Sequence, residues 1–138
     1  MTESQYYLII FILLVTAVYI SYSEHKKRKC LEERLSNALF PKINFLKDET
    51  QNYRYILPKY KVTLDIKLKF ISLCELSMIS RNVGFKLDQI DYLNCGLAHY
   101  YSDLQKEALS DFEEAIKLNP KLVEAWANKG IVLSKLEK

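Results

Sequence analysis

Twenty consecutive residues without a charge, Ser4–Ser23, dominate the hydropathy pattern of this chain, with LIIFILLVTAVYI at their centre. At about 1.5 Å of rise per residue, such a helix spans roughly 30 Å, the thickness of a bilayer's hydrocarbon core. Tyr6 and Tyr7 at one edge, and Tyr19 and Tyr22 at the other, stand where interfacial aromatics are expected. A cleaved signal peptide would want a basic start and a small-x-small cleavage site. Here Glu3 precedes the run, the basic cluster follows it, and no A-x-A pattern closes it. The pattern therefore predicts a permanent single-pass anchor over residues 1–24.

Beyond the anchor the apolar spacing becomes helical. Leu31, Leu35 and Leu39 recur every four residues, predicting a juxtamembrane helix that Pro41 ends, with 42–53 a polar linker. Residues 25–58 are thus read as a basic helix and linker. From Lys59 to Ile79 two periods compete. Val62, Leu64, Ile66, Leu68 and Phe70 alternate like a strand, whereas Ile66, Phe70, Leu73 and Leu76 fit a helix. The absence of a turn signal after Pro58 favours a helix over 59–80, and Asn82–Lys86, with Gly84, reads as the following turn. Tyr92, Gly96 and His99 share one face of the next helix. After the polar break Ser102–Gln105, Lys106–Leu118 carries the apolar stripe Ala108, Leu109, Phe112, Ala115 and Ile116. Asn119-Pro120 stops this helix, with Pro120 placed to open Val123–Lys138.

Shifting the sequence by 34 residues sets Tyr92 over Trp126, Asn94 over Asn128, Gly96 over Gly130 and Leu97 over Ile131. With Ala108, Phe112, Ala115 and Pro120 between them, residues 89–138 resemble one and a half units of the tetratricopeptide repeat family. About 50 of the 138 residues carry this resemblance. The expected fold is all-α: a single N-terminal transmembrane helix, then a short solenoid of helix hairpins over 59–138. Its parts are a cap helix 59–80, a repeat 89–122 and a half repeat 123–138. The cap is demanded physically, because one and a half repeats cannot close a core alone. The last helix either caps the stack or leaves Trp126, Leu133 and Leu136 as an apolar edge for a partner or a second copy.

Composition narrows the function. Lys26, Lys27, Arg28 and Lys29 lie just after the span and only Glu3 before it. The positive-inside rule puts the C-terminal domain on the cytoplasmic side, or the stroma or matrix side in an organelle. The same four cations are the candidate membrane-surface contact, at about 1 kcal/mol per near-surface charge. The net charge is +3, and without those four residues the chain is close to neutral, so no nucleic-acid partner is expected. Cys30, Cys74 and Cys95 have no paired spacing, as in a reducing compartment. Cys95 and His99 lie four apart and could be written as a nucleophile–base pair or as two metal ligands. Both occupy inward repeat positions without a third group, so packing is the reading. No phosphate loop, metal motif or nucleophile elbow appears. The expectation is a protein that is not an enzyme, with no cofactor, no metal site and no small-molecule substrate.

The resemblance implies protein binding on the concave surface lined by the first helix of each repeat. Here that surface carries Leu93, Asn94, Leu97, Tyr100 and Tyr101, then Ala127, Asn128 and Ile131. Asn94 and Asn128 match a frequent family position whose amide bonds the ligand's backbone. Leu93, Leu97 and Glu124 replace the cations with which chaperone-binding members hold a terminal carboxylate, so a hydrophobic or amphipathic partner segment fits better. The cap helix could instead cover Leu93 and Leu97. Membrane-anchored members act as assembly factors and as import receptors. The expected function is therefore a membrane-anchored adaptor or recruitment scaffold for a membrane complex; the alternatives are an accessory subunit of a larger complex or a membrane-surface import receptor.

Overall fold

The protein is represented by a computed structural model that describes residues 3–57 and 61–138, with side chains from Ile9 onward. Five helices follow in order: α1 (Glu3–Thr50), α2 (Leu64–Asn82), α3 (Gln89–Tyr101), α4 (Gln105–Leu118) and α5 (Val123–Leu136). No strand occurs among the described residues, so the all-α expectation holds. The chain divides into two compact units, one ending at Ala38 and the other Leu39–Lys138.

In the first unit, α1 is long and apolar enough to cross a membrane, and its apolar window is unburied. The side chains of Tyr6 and Tyr7 lie outside the described residues; Tyr19 and Tyr22 are exposed. Thr16 donates its hydroxyl to the Leu13 carbonyl at 2.9 Å. That bond pairs the threonine hydroxyl within the helix's own backbone. Lys26, Lys27, Arg28, Lys29 and Cys30 are all exposed beyond it.

Pro41 does not end α1, and 42–53 is not a linker. The helix continues to Thr50 and closes in a 3-10 turn, Gln51–Tyr53. Proline removes one helical hydrogen bond, a loss of about 3 kcal/mol. The residues after it offset this: Ile43 and Thr50 are buried and Leu46 packs against the core, spaced i, i+3, i+7. This stripe was hidden in a polar-looking stretch.

The strand-or-helix ambiguity of the next segment is resolved by burial. Ile66, Phe70, Leu73, Cys74 and Ser77 face inward on α2, whereas Leu64 and Leu68 are exposed. The Thr63 hydroxyl caps the helix by accepting the Ile66 amide at 3.3 Å. The helix thus starts at Leu64, and the predicted opening residues Lys59 and Tyr60 lie outside the described residues. Gly84, at φ 99, turns the chain toward α3 in a conformation that side chains resist. Asp88 and Asp91 then form a reciprocal capping box at the α3 N-terminus. Lys47 reaches both carboxylates, at 3.4 and 2.7 Å.

Helices α2 to α5 pack in sequence, α2 on α3, α3 on α4 and α4 on α5, with α3 also touching α5. Pro120 sits in the turn before α5 rather than opening it. The centre of the α3–α4 contact is the fully buried Phe112 ring against Gly96. Ala108 and Ala115, also fully buried, flank that ring on α4. Burial of each large apolar side chain in this cluster contributes about 1.5–3 kcal/mol.

Candidate functional site

The sequence places Asn128 on the inward face of α5, and the structure gives its amide a specific occupant. Asn128 Nδ2 donates to the Arg54 carbonyl at 2.8 Å, and its Oδ1 accepts the Ile56 amide at 2.9 Å. A single fully buried side chain thus clamps two main-chain groups more than seventy residues away in sequence. Close by, the Leu57 amide donates to the Tyr101 hydroxyl at 3.3 Å. Burial raises the Tyr101 phenol above its ordinary value, so the group stays neutral while accepting this bond. Residues 54–57 therefore form a strap held in the groove by backbone contacts, with Tyr53 and Ile56 packed against the core.

Beside the strap lies a cavity of about 400 Å³, walled by Ile56, Leu57, Tyr100, Tyr101 and Ile131, with Lys67 and Lys135 in its lining. Lys135 also stands 4.9 Å from the centre of the Tyr100 ring and pairs with Asp103 at 3.4 Å. Phe70 backs the wall, its ring 6.1 Å from that of Tyr101. The arrangement is an apolar, aromatic pocket whose edge carries Lys67, Lys135 and Asp103, next to side chains that bond the backbone of residues 54–57.

The predicted partner-binding residues divide into three sets. Tyr100, Tyr101 and Ile131 line the cavity, and Asn128 holds the strap. Leu93 and Leu97 are fully buried in the core cluster with Phe70 and Leu73 of α2, so the cap helix covers them. Asn94, the repeat equivalent of Asn128, is buried too, and its Oδ1 has no hydrogen-bond partner. Ala127 is exposed while its neighbour Asn128 is buried, which places it away from the groove. Sequence reasoning missed the strap itself. Its one signal was the aromatic and aliphatic cluster Tyr53, Tyr55, Ile56 and Leu57 inside an apparently polar linker.

The Cys95–His99 pair is arranged for packing. His99 Nδ1 lies 2.6 Å from Asp111 Oδ2, tying α3 to α4. Burial pushes the Asp111 carboxyl above its ordinary value, against the opposing pull of His99. The Cys95 thiol is driven up by its contact with Cys74 and by burial, which disfavours the reactive thiolate. Among the described residues no group of three His, Cys, Asp or Glu side chains could hold a metal ion. Comparison with protein-family models, curated proteins and solved structures gives no match to this chain.

Proposed function

We propose that this chain is a membrane-anchored adaptor of the tetratricopeptide type, whose groove binds a segment of a partner protein. Its role would be recruitment or assembly of a membrane complex, with the C-terminal unit on the side that receives Lys26–Lys29. The observation that carries this reading is the Asn128 clamp. It grips a carbonyl and an amide two residues apart, which every polypeptide offers, so it recognises backbone independently of side chains. Specificity would come from the adjoining cavity of Tyr100, Tyr101 and Ile131, suited to an apolar side chain, with Lys67 at its edge.

The strap makes the binding an exchange. A buried amide left without partners costs about 1–3 kcal/mol. Asn128 is therefore served either by residues 54–56 or by the partner's main chain. The strap keeps the groove satisfied when no partner is present and lowers the partner's apparent affinity by the fraction of time it is seated.

The test is photocrosslinking in native membranes from a benzophenone amino acid at Ile131, on the full-length protein. A protein crosslink that a synthetic Asn52–Pro58 peptide suppresses, and that Asn128→Ala abolishes at unchanged helicity, supports the adaptor. Crosslinks to lipid alone, or to a protein insensitive to both changes, would overturn the groove reading.

A further inference from the structure

Helix α1 runs without a break from its apolar stretch through the charged residues that follow, so one helical register fixes the angles of those charges. At about 100° per residue, four consecutive side chains point in four directions around the axis. Lys26, Lys27, Arg28 and Lys29 therefore close a collar around the helix within about 4.5 Å of rise. Every residue from Glu24 to Cys30 is exposed. Glu24 is the one carboxylate between the apolar stretch and the collar, which leaves a clear positive surplus at this level. We propose that the collar gathers anionic phospholipid headgroups around α1, making the membrane anchor a lipid-selecting surface as well.

The inference rests on the membrane-anchor part of the proposed function and is independent of the groove. Position and charge together identify the occupant. The apolar window that precedes the collar is unburied, so the side chains just after it stand at the headgroup level of a bilayer that accepts the window. Lys26, Lys27 and Lys29 make no ion pair among the described residues, and Arg28 has only a contact with Glu32 at 3.9 Å. Those two side chains are largely exposed, so the pair does little to neutralise the arginine. Negative headgroups supply the charge that the chain leaves unmatched.

The ring geometry also says what kind of recognition this is. Because the cations point all round, each lipid beside this end of the helix meets one of them. The occupant is a shell of headgroups rather than a single molecule in a pocket. On one face Arg28 and Lys29 border a common cleft with His25 and Glu32, where one lipid phosphate can meet both cations. A topology signal depends only on the number of cations flanking a span during insertion. Headgroup selection persists in the finished membrane, and a protein reconstituted among lipids of two kinds separates the two effects.

The full-length protein is reconstituted into phosphatidylcholine vesicles containing phosphatidylserine. Cys30 is exposed and adjoins the collar, whereas Cys74 and Cys95 are buried, so a maleimide donor dye marks this depth alone. Energy transfer is read to acyl-chain-labelled phosphatidylserine or phosphatidylcholine at equal mole fraction. At low salt the serine lipid should be enriched at least about twofold around the dye. The ratio should fall toward one in about 1 M salt, where charges are screened beyond about 3 Å. Joint Lys26→Gln, Lys27→Gln, Arg28→Gln and Lys29→Gln should abolish the preference while the protein still floats with the vesicles. Equal transfer to both lipids by the unaltered protein, or a preference that survives the fourfold substitution, would overturn the proposal with the anchor intact. A preference removed by millimolar inorganic phosphate at fixed ionic strength would assign the collar to a soluble anion and overturn it too. Protein stripped from the vesicles by alkaline carbonate would overturn the anchor reading itself, and this proposal with it.

Discussion

Two glycines 34 residues apart provide a matched pair in which one substitution should have opposite signs. Alanine in place of a helical glycine gains about 1 kcal/mol in intrinsic propensity. At Gly130 nothing lies within 4 Å of the new methyl, so Gly130→Ala should keep most of this gain, about 0.5–1 kcal/mol. At Gly96 the methyl would lie 2.5, 2.7 and 2.9 Å from three atoms of the Phe112 ring. Carbon atoms prefer separations of about 3.5–4.0 Å, so the ring must withdraw by about 1 Å. Phe112 is fully buried and has no open side to move into. Overpacking of this kind costs about 1–3 kcal/mol. Three simultaneous clashes on an enclosed ring place the cost at the upper end, so Gly96→Ala should lose about 1–2 kcal/mol net of its propensity gain. Urea unfolding of the full-length protein in micelles, followed by circular dichroism, reads both values as midpoint shifts at constant slope. Thermal midpoints should move apart by roughly 10 °C or more for a unit of this size. Adding Phe112→Leu to Gly96→Ala should recover part of the loss, because the two positions touch and are coupled. Equal signs for the two glycines, or strict additivity with Phe112→Leu, would refute the close-approach account.

The two repeat-equivalent asparagines should also separate. Asn128→Leu leaves the Arg54 carbonyl and Ile56 amide without the clamp, costing about 2–4 kcal/mol, and should expose the bond after Arg54 to trypsin. Asn94→Leu removes a buried unpaired oxygen at similar volume and should be neutral or stabilising in the same denaturation assay. Burial opposes the Asp88 carboxylate, but the Asp91 amide and Lys47 outweigh it and hold it below its ordinary value. Its contribution is therefore present above about pH 4, the unfolded value, and is lost as pH falls through the lower folded value. Asp88→Asn keeps the cap but should flatten the acid limb of stability between about pH 5 and 2, and an unaltered limb would count against this assignment. Native protein should react with maleimide at the exposed Cys30 alone, and at Cys74 and Cys95 only after denaturation. In sealed membranes a maleimide that cannot cross the bilayer should miss Cys30 until permeabilisation; immediate labelling would reverse the proposed orientation.

What could be read from sequence is what local chemistry dictates. The N-terminal helix long and apolar enough to cross a membrane follows from an unbroken absence of charge over Ser4–Ser23. The three C-terminal helices follow from periodicity and from the glycine, aromatic and proline positions, which act over a few residues each. Their boundaries in α3, α4 and α5 agree with that reading to within about two residues at each end. The rest depended on contacts between residues far apart. Pro41 looked like a terminator because its effect is local, whereas the burial of Ile43 and Thr50 that carries the helix past it is tertiary. Leu93 and Leu97 are compatible with an open groove or a covered one, and only the packing of α2 on α3 decided that they are covered. Asn94 and Asn128 are indistinguishable in the repeat, yet one amide oxygen is unpaired and the other holds the strap. A side-chain amide bonds whichever main chain reaches it, and the path of residues 54–57 is set by the folded chain as a whole.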